Sequence, residues 1–350
     1  MKKLEERKRK WVDFLNGDSG VKTMFLIETD ETSEKNARRP LPWPGLINER
    51  INWAYESYCA QVSDMEWLAD DRVPALSPYT GTEIFAEAFG CKVSYPENNM
   101  PFALPKYASL PDAANLKIPG VHDTPLDNLF EIARRLLQKA GGVATVQLPD
   151  IQSPVDIAAL IVNKEEFYVG MIEDPPAVHE IINKTKSLLT AFLDEWFSEF
   201  GTSYIAHFPS YYMEGGITLS EDEISAFNSG MFLEYVNNTL NGFSERYGGI
   251  GIHCCAASEH QWRLLKEING LRLINLVMDP ASIKKSIRFF GNTAAHWPMD
   301  GTPVSGTEPA WYGDLPVGVR AVLNFKAPAK GEAAAIAASF NDNRAGLYND

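Results

Sequence analysis

GGIGIHCCAASEHQW, residues Gly248 to Trp262, changes character halfway along. Its first half is a short apolar run of the kind that forms a buried strand, and a helix-like segment, Ser258 to Ile268, grows out of its second half. The chain then returns to another apolar run, LRLINLVM, from Leu271 to Met278. The helix between them returns the chain from one strand to the next. This stretch therefore reads as one βαβ unit.

The pattern extends in both directions. Upstream strand candidates are Val21–Thr29, Arg72–Tyr79, Gly142–Asp150 and Ser203–Tyr212; downstream ones are Ala294–Pro298 and Val319–Phe325. Helices are expected between most of them. Near Leu126–Ala140, Thr124 supplies a cap, Pro125 a first-turn residue and Gly141 a stop. The long segment from Asp174 to Phe200 ends at Gly201, and a further helix is expected from Glu221 to Tyr247. Strands alternating with helices in this number predict an α/β protein, a (β/α)8 TIM barrel. Residues 1–20 read as an N-terminal helical extension and 21–350 as the barrel. Cys91–Asp123, rich in Pro and Gly, reads as an insertion near the barrel mouth, and Met299–Gly318 shows no helix pattern.

Composition narrows the function classes. A net charge of −14 opposes sequence-independent nucleic-acid binding, which needs clustered Lys and Arg. No apolar run reaches the ~18 residues of a membrane span, and the charged start MKKLEERKRKWVDFL is not followed by a signal-peptide core. Four cysteines, two of them adjacent, do not make a disulfide framework, so a cytoplasmic protein is expected. Dinucleotide, P-loop and serine-hydrolase motifs are absent.

In a (β/α)8 barrel the chemistry lies at the C-terminal ends of the strands. His253 and Cys255 share one face of their strand, because side chains alternate, and imidazole with thiolate suits zinc. A zinc site needs three or four protein ligands, which leaves the third open among His207, His296 and Glu308. Asp222, His207 and His260 are the candidate acid–base groups. Ser220 and Glu223 have the spacing of a capping box, which assigns Glu223 to helix structure and leaves Asp222 free to act. Arg38 and Arg39, in a Pro-rich loop after the first strand, are candidate anchors for an anionic substrate, with Tyr211 and Gln152 as further contacts.

VPALSPYTGTEIFAEAFGCKV, PDIQSPVDIAALI with MIEDPPAVHEII, GITLSEDEIS and GGIGIHCCA occur in an order that resembles the uroporphyrinogen decarboxylase superfamily, from about Ile51 to Leu276. The resemblance implies a (β/α)8 barrel and two kinds of activity. One branch decarboxylates uroporphyrinogen with neither metal nor cofactor. The other comprises zinc-dependent methyltransferases that activate a thiol and take the methyl group from a corrinoid protein. The R-Q-A-G-R signature of the first branch is replaced by NARRPLPWPG, and Ala159 stands where its tyrosine is expected. His253-Cys254-Cys255 matches the H-x-C of the second branch, although no cysteine follows Cys255. The expectation is a methyltransferase-like enzyme with zinc, a thiol or anionic substrate and a corrinoid partner. A metal-free polycarboxylate decarboxylase is the alternative, and a non-catalytic tetrapyrrole or corrinoid-protein binder a further one.

Overall fold

The computed structural model describes residues 2–17, 20–29, 39–299, 304–305, 309 and 311–347, and the βαβ unit forms part of its main sheet. Strand Ile250–Cys254 runs parallel to Leu271–Leu276, with His253 opposite Asn275. The sheet continues through Ala295–His296 and Ala321–Ala327 to Thr23–Thr29, while Ile217–Ser220 flanks the other side. Every pairing among these six strands is parallel.

The remaining sector of the wall is held by single parallel bridges, Leu76 to Val146, Gln147 to Ile205 and Gln152 to Ser220. Pro74, Pro78 and Pro149 explain why the second and third expected strands shrink to this, since proline cannot donate to a ladder. Side chains make up part of the deficit: Asp71 N–H donates to the Phe25 carbonyl at 3.0 Å, and the Asp71 and Asp70 carboxylates accept from Phe25 N at 2.8 Å and Ile27 N at 3.2 Å. The wall closes on itself as a (β/α)8 barrel.

One strand differs from the sequence reading. Ser203–Ile205 does not continue to Tyr212; it turns back antiparallel on Tyr212–Glu214, because Pro209 interrupts the run. Gly215 and Gly216, both at positive φ, then reverse the chain again, so that Ile217–Ser220 takes the place beside Ile250–Cys254. A Cβ at Gly216 would stand 2.9 Å from the Gly249 carbonyl, so the turn needs glycine at this point. The helix expected from Glu221 is also broken: Glu223–Ala226 is a 3-10 turn, and helix runs from Ser229 to Tyr247 with a π-helical segment at Phe232–Asn237.

Helix Lys2–Asn16 covers the N-terminal end of the barrel. Trp11, Phe14 and Leu15 are buried, and the Trp11 ring packs against Tyr211 at 5.7 Å and Trp297 at 6.1 Å. Arg7 donates to the Leu68 and Arg72 carbonyls, and Arg320 donates to the carbonyls of Phe14 and Leu15 at 2.5 and 2.6 Å. Burial of three large apolar side chains favours the seal by roughly 1.5–3 kcal/mol each. Among the described residues, no helix is long and apolar enough to cross a membrane.

Candidate metal centre

At the C-terminal ends of the central strands, alternation sorts the side chains as the sequence implies. Ile250, Ile252 and Cys254 face the helices and are fully buried, whereas His253 points into the barrel at 5% exposure. Cys255 follows on the rim and is exposed. Asp222, on the loop after Ile217–Ser220, joins them: ligand atoms of Asp222, His253 and Cys255 all lie within 4.8 Å of one another.

Neighbouring groups aim these three. His253 Nδ1 lies 2.6 Å from Asn275 Oδ1, and Asn275 Nδ2 donates to the Trp297 carbonyl at 2.7 Å. That second bond fixes the amide's orientation, so Oδ1 is the acceptor and His253 Nδ1 carries the proton. The lone pair is left on Nε2, the arrangement typical of a metal-binding histidine. Asp222 Oδ1 accepts from the Cys255 backbone N–H at 2.5 Å, tying carboxylate and thiol together. Partial desolvation of its sulfur, then the Asp222 and Asp156 carboxylates, push the Cys255 thiol up to about 12, so it keeps its proton unless a cation compensates. A carboxylate, an imidazole nitrogen and a sulfur, with fewer than four protein groups, fit a zinc ion with an open position.

The other candidates are dispersed. His207 lines a mouth cavity of about 940 Å³, and its Nε2 is 3.6 Å from Asp150 Oδ2. Burial lowers its pKa, opposed by Asp150, and Nδ1 is buried without a partner. Arg39 lines the same cavity, its guanidinium 3.9 Å from the centre of the Tyr79 ring. Gln152 sits at strand-end level, buried, with Oε1 unpartnered. Phe208 and Asn275 line the cavity and also touch His253, Phe208 edge-on at 4.6 Å, so His253 stands behind this part of its wall.

Several expectations are corrected. His296 pairs with Ile274, so it faces the helices; its Nε2–H donates to the Gly291 carbonyl at 2.9 Å, and burial lowers its pKa to about 4. It is not the third ligand. Nor is His207, which is absent from the cluster of donors; Asp222, expected as an acid–base group, stands in that place. Tyr211 is 1% exposed, packed on Trp11 with its hydroxyl 2.5 Å from Thr218 Oγ1, because the antiparallel hairpin carries it to the sealed end. His260 donates to the Phe227 carbonyl at 2.9 Å, apart from the donors. Glu223 makes no capping box: its carboxylate takes Lys164 at 2.7 Å and the Tyr168 hydroxyl. Arg38 and Glu308 lie outside the described residues. Asn275 was missed, although a lone amide inside the apolar run LRLINL was its signal.

Barrel, mouth cavity and three convergent donors define an enzyme-type (β/α)8 barrel with a candidate metal centre. Residues 75–293, more than half the chain, match the family model described as Uroporphyrinogen decarboxylase (URO-D). The chain belongs to the uroporphyrinogen decarboxylase family. It is similar in structure to a methyltransferase from Methanosarcina mazei, with a TM-score of 0.65 and 14% identity over 96% of this chain and 99% of that one. At this identity the likeness speaks to the fold alone. A search of curated proteins returns no match.

Proposed function

We propose that the protein is a zinc-dependent, methyltransferase-like enzyme of this family, acting on a thiol or similar nucleophile with a corrinoid protein as methyl donor. The observation that carries the reading is the convergence of Asp222, His253 and Cys255 within 4.8 Å at the strand ends. That the structural neighbour is a methyltransferase supports it. Zinc held by these residues would act as a Lewis acid that lowers a thiol's pKa and makes it nucleophilic at neutral pH.

The chain's own groups supply the rest. Asn275 holds the proton on His253 Nδ1 and presents Nε2. Phe208 shields the imidazole from the open cavity and excludes water from that side. Arg39 offers an anchor for an anionic substituent at the entrance. His207, kept neutral by burial, can accept a proton at its unpartnered Nδ1, with Asp150 steadying the resulting charge.

Metal analysis tests the reading: wild-type protein purified without chelator should hold about one zinc per chain and Cys255→Ala should hold far less. Equally metal-free preparations sink it. Arg39 at the cavity mouth favours a second reading, decarboxylation of a polycarboxylate. Carbon dioxide release from uroporphyrinogen by zinc-free protein, lost in Arg39→Ala, would support that alternative.

A further inference from the structure

Asp156 lies off the cavity wall, 2% exposed, in helix Pro154–Ile161. Ser153 caps this helix, its Oγ accepting from Asp156 N at 3.0 Å. In a reciprocal capping box the acid three residues on would return to the cap's own N–H. Here the Ser153 N–H is already donated to the Ser220 carbonyl at 2.8 Å, so the Asp156 carboxylate is released from that task. It reaches across to the next loop, where Oδ2 accepts from Asp222 N at 2.8 Å and Oδ1 from Glu223 N at 3.0 Å. Asp222 in turn holds the Cys255 N–H.

We infer that Asp156 is a positioning residue for the candidate metal centre: it fixes the Asp222 backbone through two buried hydrogen bonds and so sets the carboxylate against Cys255 and His253. The inference rests on the zinc reading above. Both acceptors of one carboxylate are committed to consecutive N–H groups, which removes the freedom of the Asp222–Glu223 peptide to rotate. A carboxyl group suits this task because it offers two acceptor oxygens side by side. The isosteric amide of Asn would place its NH2 against one of the two N–H donors. The tie also explains why a buried acid, whose pKa burial raises well above the ordinary range, stands where an apolar residue would pack at less cost.

The test is a double-mutant cycle read by zinc affinity, measured by chelator competition on the full-length protein, with unfolding of the zinc-free forms followed in parallel. Asp156→Asn should weaken zinc binding about 10–100-fold, the range for residues that orient metal ligands. In an Asp222→Ala background the same substitution should cost nothing further. A residue serving only the fold would lower stability in both backgrounds without this selective loss. Should Asp156→Asn not fold, Asp156→Glu replaces it in the cycle; it keeps both acceptors but displaces them by one methylene. Undiminished zinc affinity in the folded variant overturns the inference, as does an equal loss with Asp222 absent. Wild-type protein that takes up no zinc overturns the functional reading and this inference with it.

Discussion

Replacing Asn275 by Leu separates what holds the barrel from what aims its donor. Asn275 is 2% exposed and makes two hydrogen bonds, to His253 Nδ1 at 2.6 Å and to the Trp297 carbonyl at 2.7 Å. Leucine is close in volume, so packing changes little, but the His253 N–H and the Trp297 carbonyl lose their partner. Each buried group left unsatisfied costs about 1–3 kcal/mol, so zinc-free protein should lose about 2–6 kcal/mol of unfolding free energy. His253 also loses the acceptor that keeps the proton on Nδ1. Zinc affinity should fall about 10–100-fold, the usual effect of removing such a partner, or about 1.4–2.7 kcal/mol. Asn275→Asp makes the contrast: it still accepts from His253 and makes the imidazole more basic, but it cannot donate to the Trp297 carbonyl. It should lose stability while keeping or tightening the metal. Urea unfolding gives the first quantity and chelator competition the second. Asn275→Leu protein that is folded and binds zinc as tightly as wild type would refute the assignment of His253 Nε2 as a ligand.

Two further outcomes follow from the titratable groups. His296 is buried with its pKa near about 4 against an ordinary 6.5, so below pH 6.5 the unfolded chain takes up a proton that the folded chain refuses. Stability should be full above pH 6.5 and fall by about 1.4 kcal/mol per pH unit toward pH 4; His296→Gln should flatten this slope, and an unchanged slope contradicts the account. Cys255, pushed up to about 12, is a thiol at neutral pH and must lose its proton to ligate. Zinc addition at pH 8 should therefore release about one proton from it, measurable by calorimetry in two buffers of different ionisation enthalpy. Zinc uptake with no more proton release than Cys255→Ala shows would remove Cys255 from the ligand set.

The barrel was legible because its central strands are continuous apolar runs with helices between them, as in GGIGIHCC and LRLINLVM. It was less legible where the wall uses side chains. Nothing in RVPALSPY announces that Asp70 and Asp71 just before it would serve as acceptors for Phe25 and Ile27. The hairpin at Ser203–Glu214 was hidden because SYIAHFPSYY is apolar on both arms; only Pro209 hinted at a break, and the error put Tyr211 at the wrong end of the barrel. At the site, period-two alternation was enough to pair His253 with Cys255. The third donor escaped for a different reason. Asp222 comes close to Cys255 only because adjacent strands end at the same height, a register that no local spacing encodes. Alternation could not decide His296 either, since its facing depends on pairing with Ile274 rather than with Asn275.

The seal at the base of the barrel has a consequence for biosynthesis. Arg320, in the last tenth of the chain, grips the carbonyls at the end of the very first helix. Trp11 rests against Tyr211 and Trp297, which are made much later than it is. During synthesis from the N-terminus, that helix therefore emerges long before any surface exists to receive its apolar face. Contacts of such long sequence separation form late and slowly, so the nascent chain carries an exposed Trp11, Phe14 and Leu15 until Tyr211, Trp297 and Arg320 have been made. Chaperone occupancy and aggregation in this protein should centre on the helix Lys2–Asn16, which is translated well before the residues it docks on.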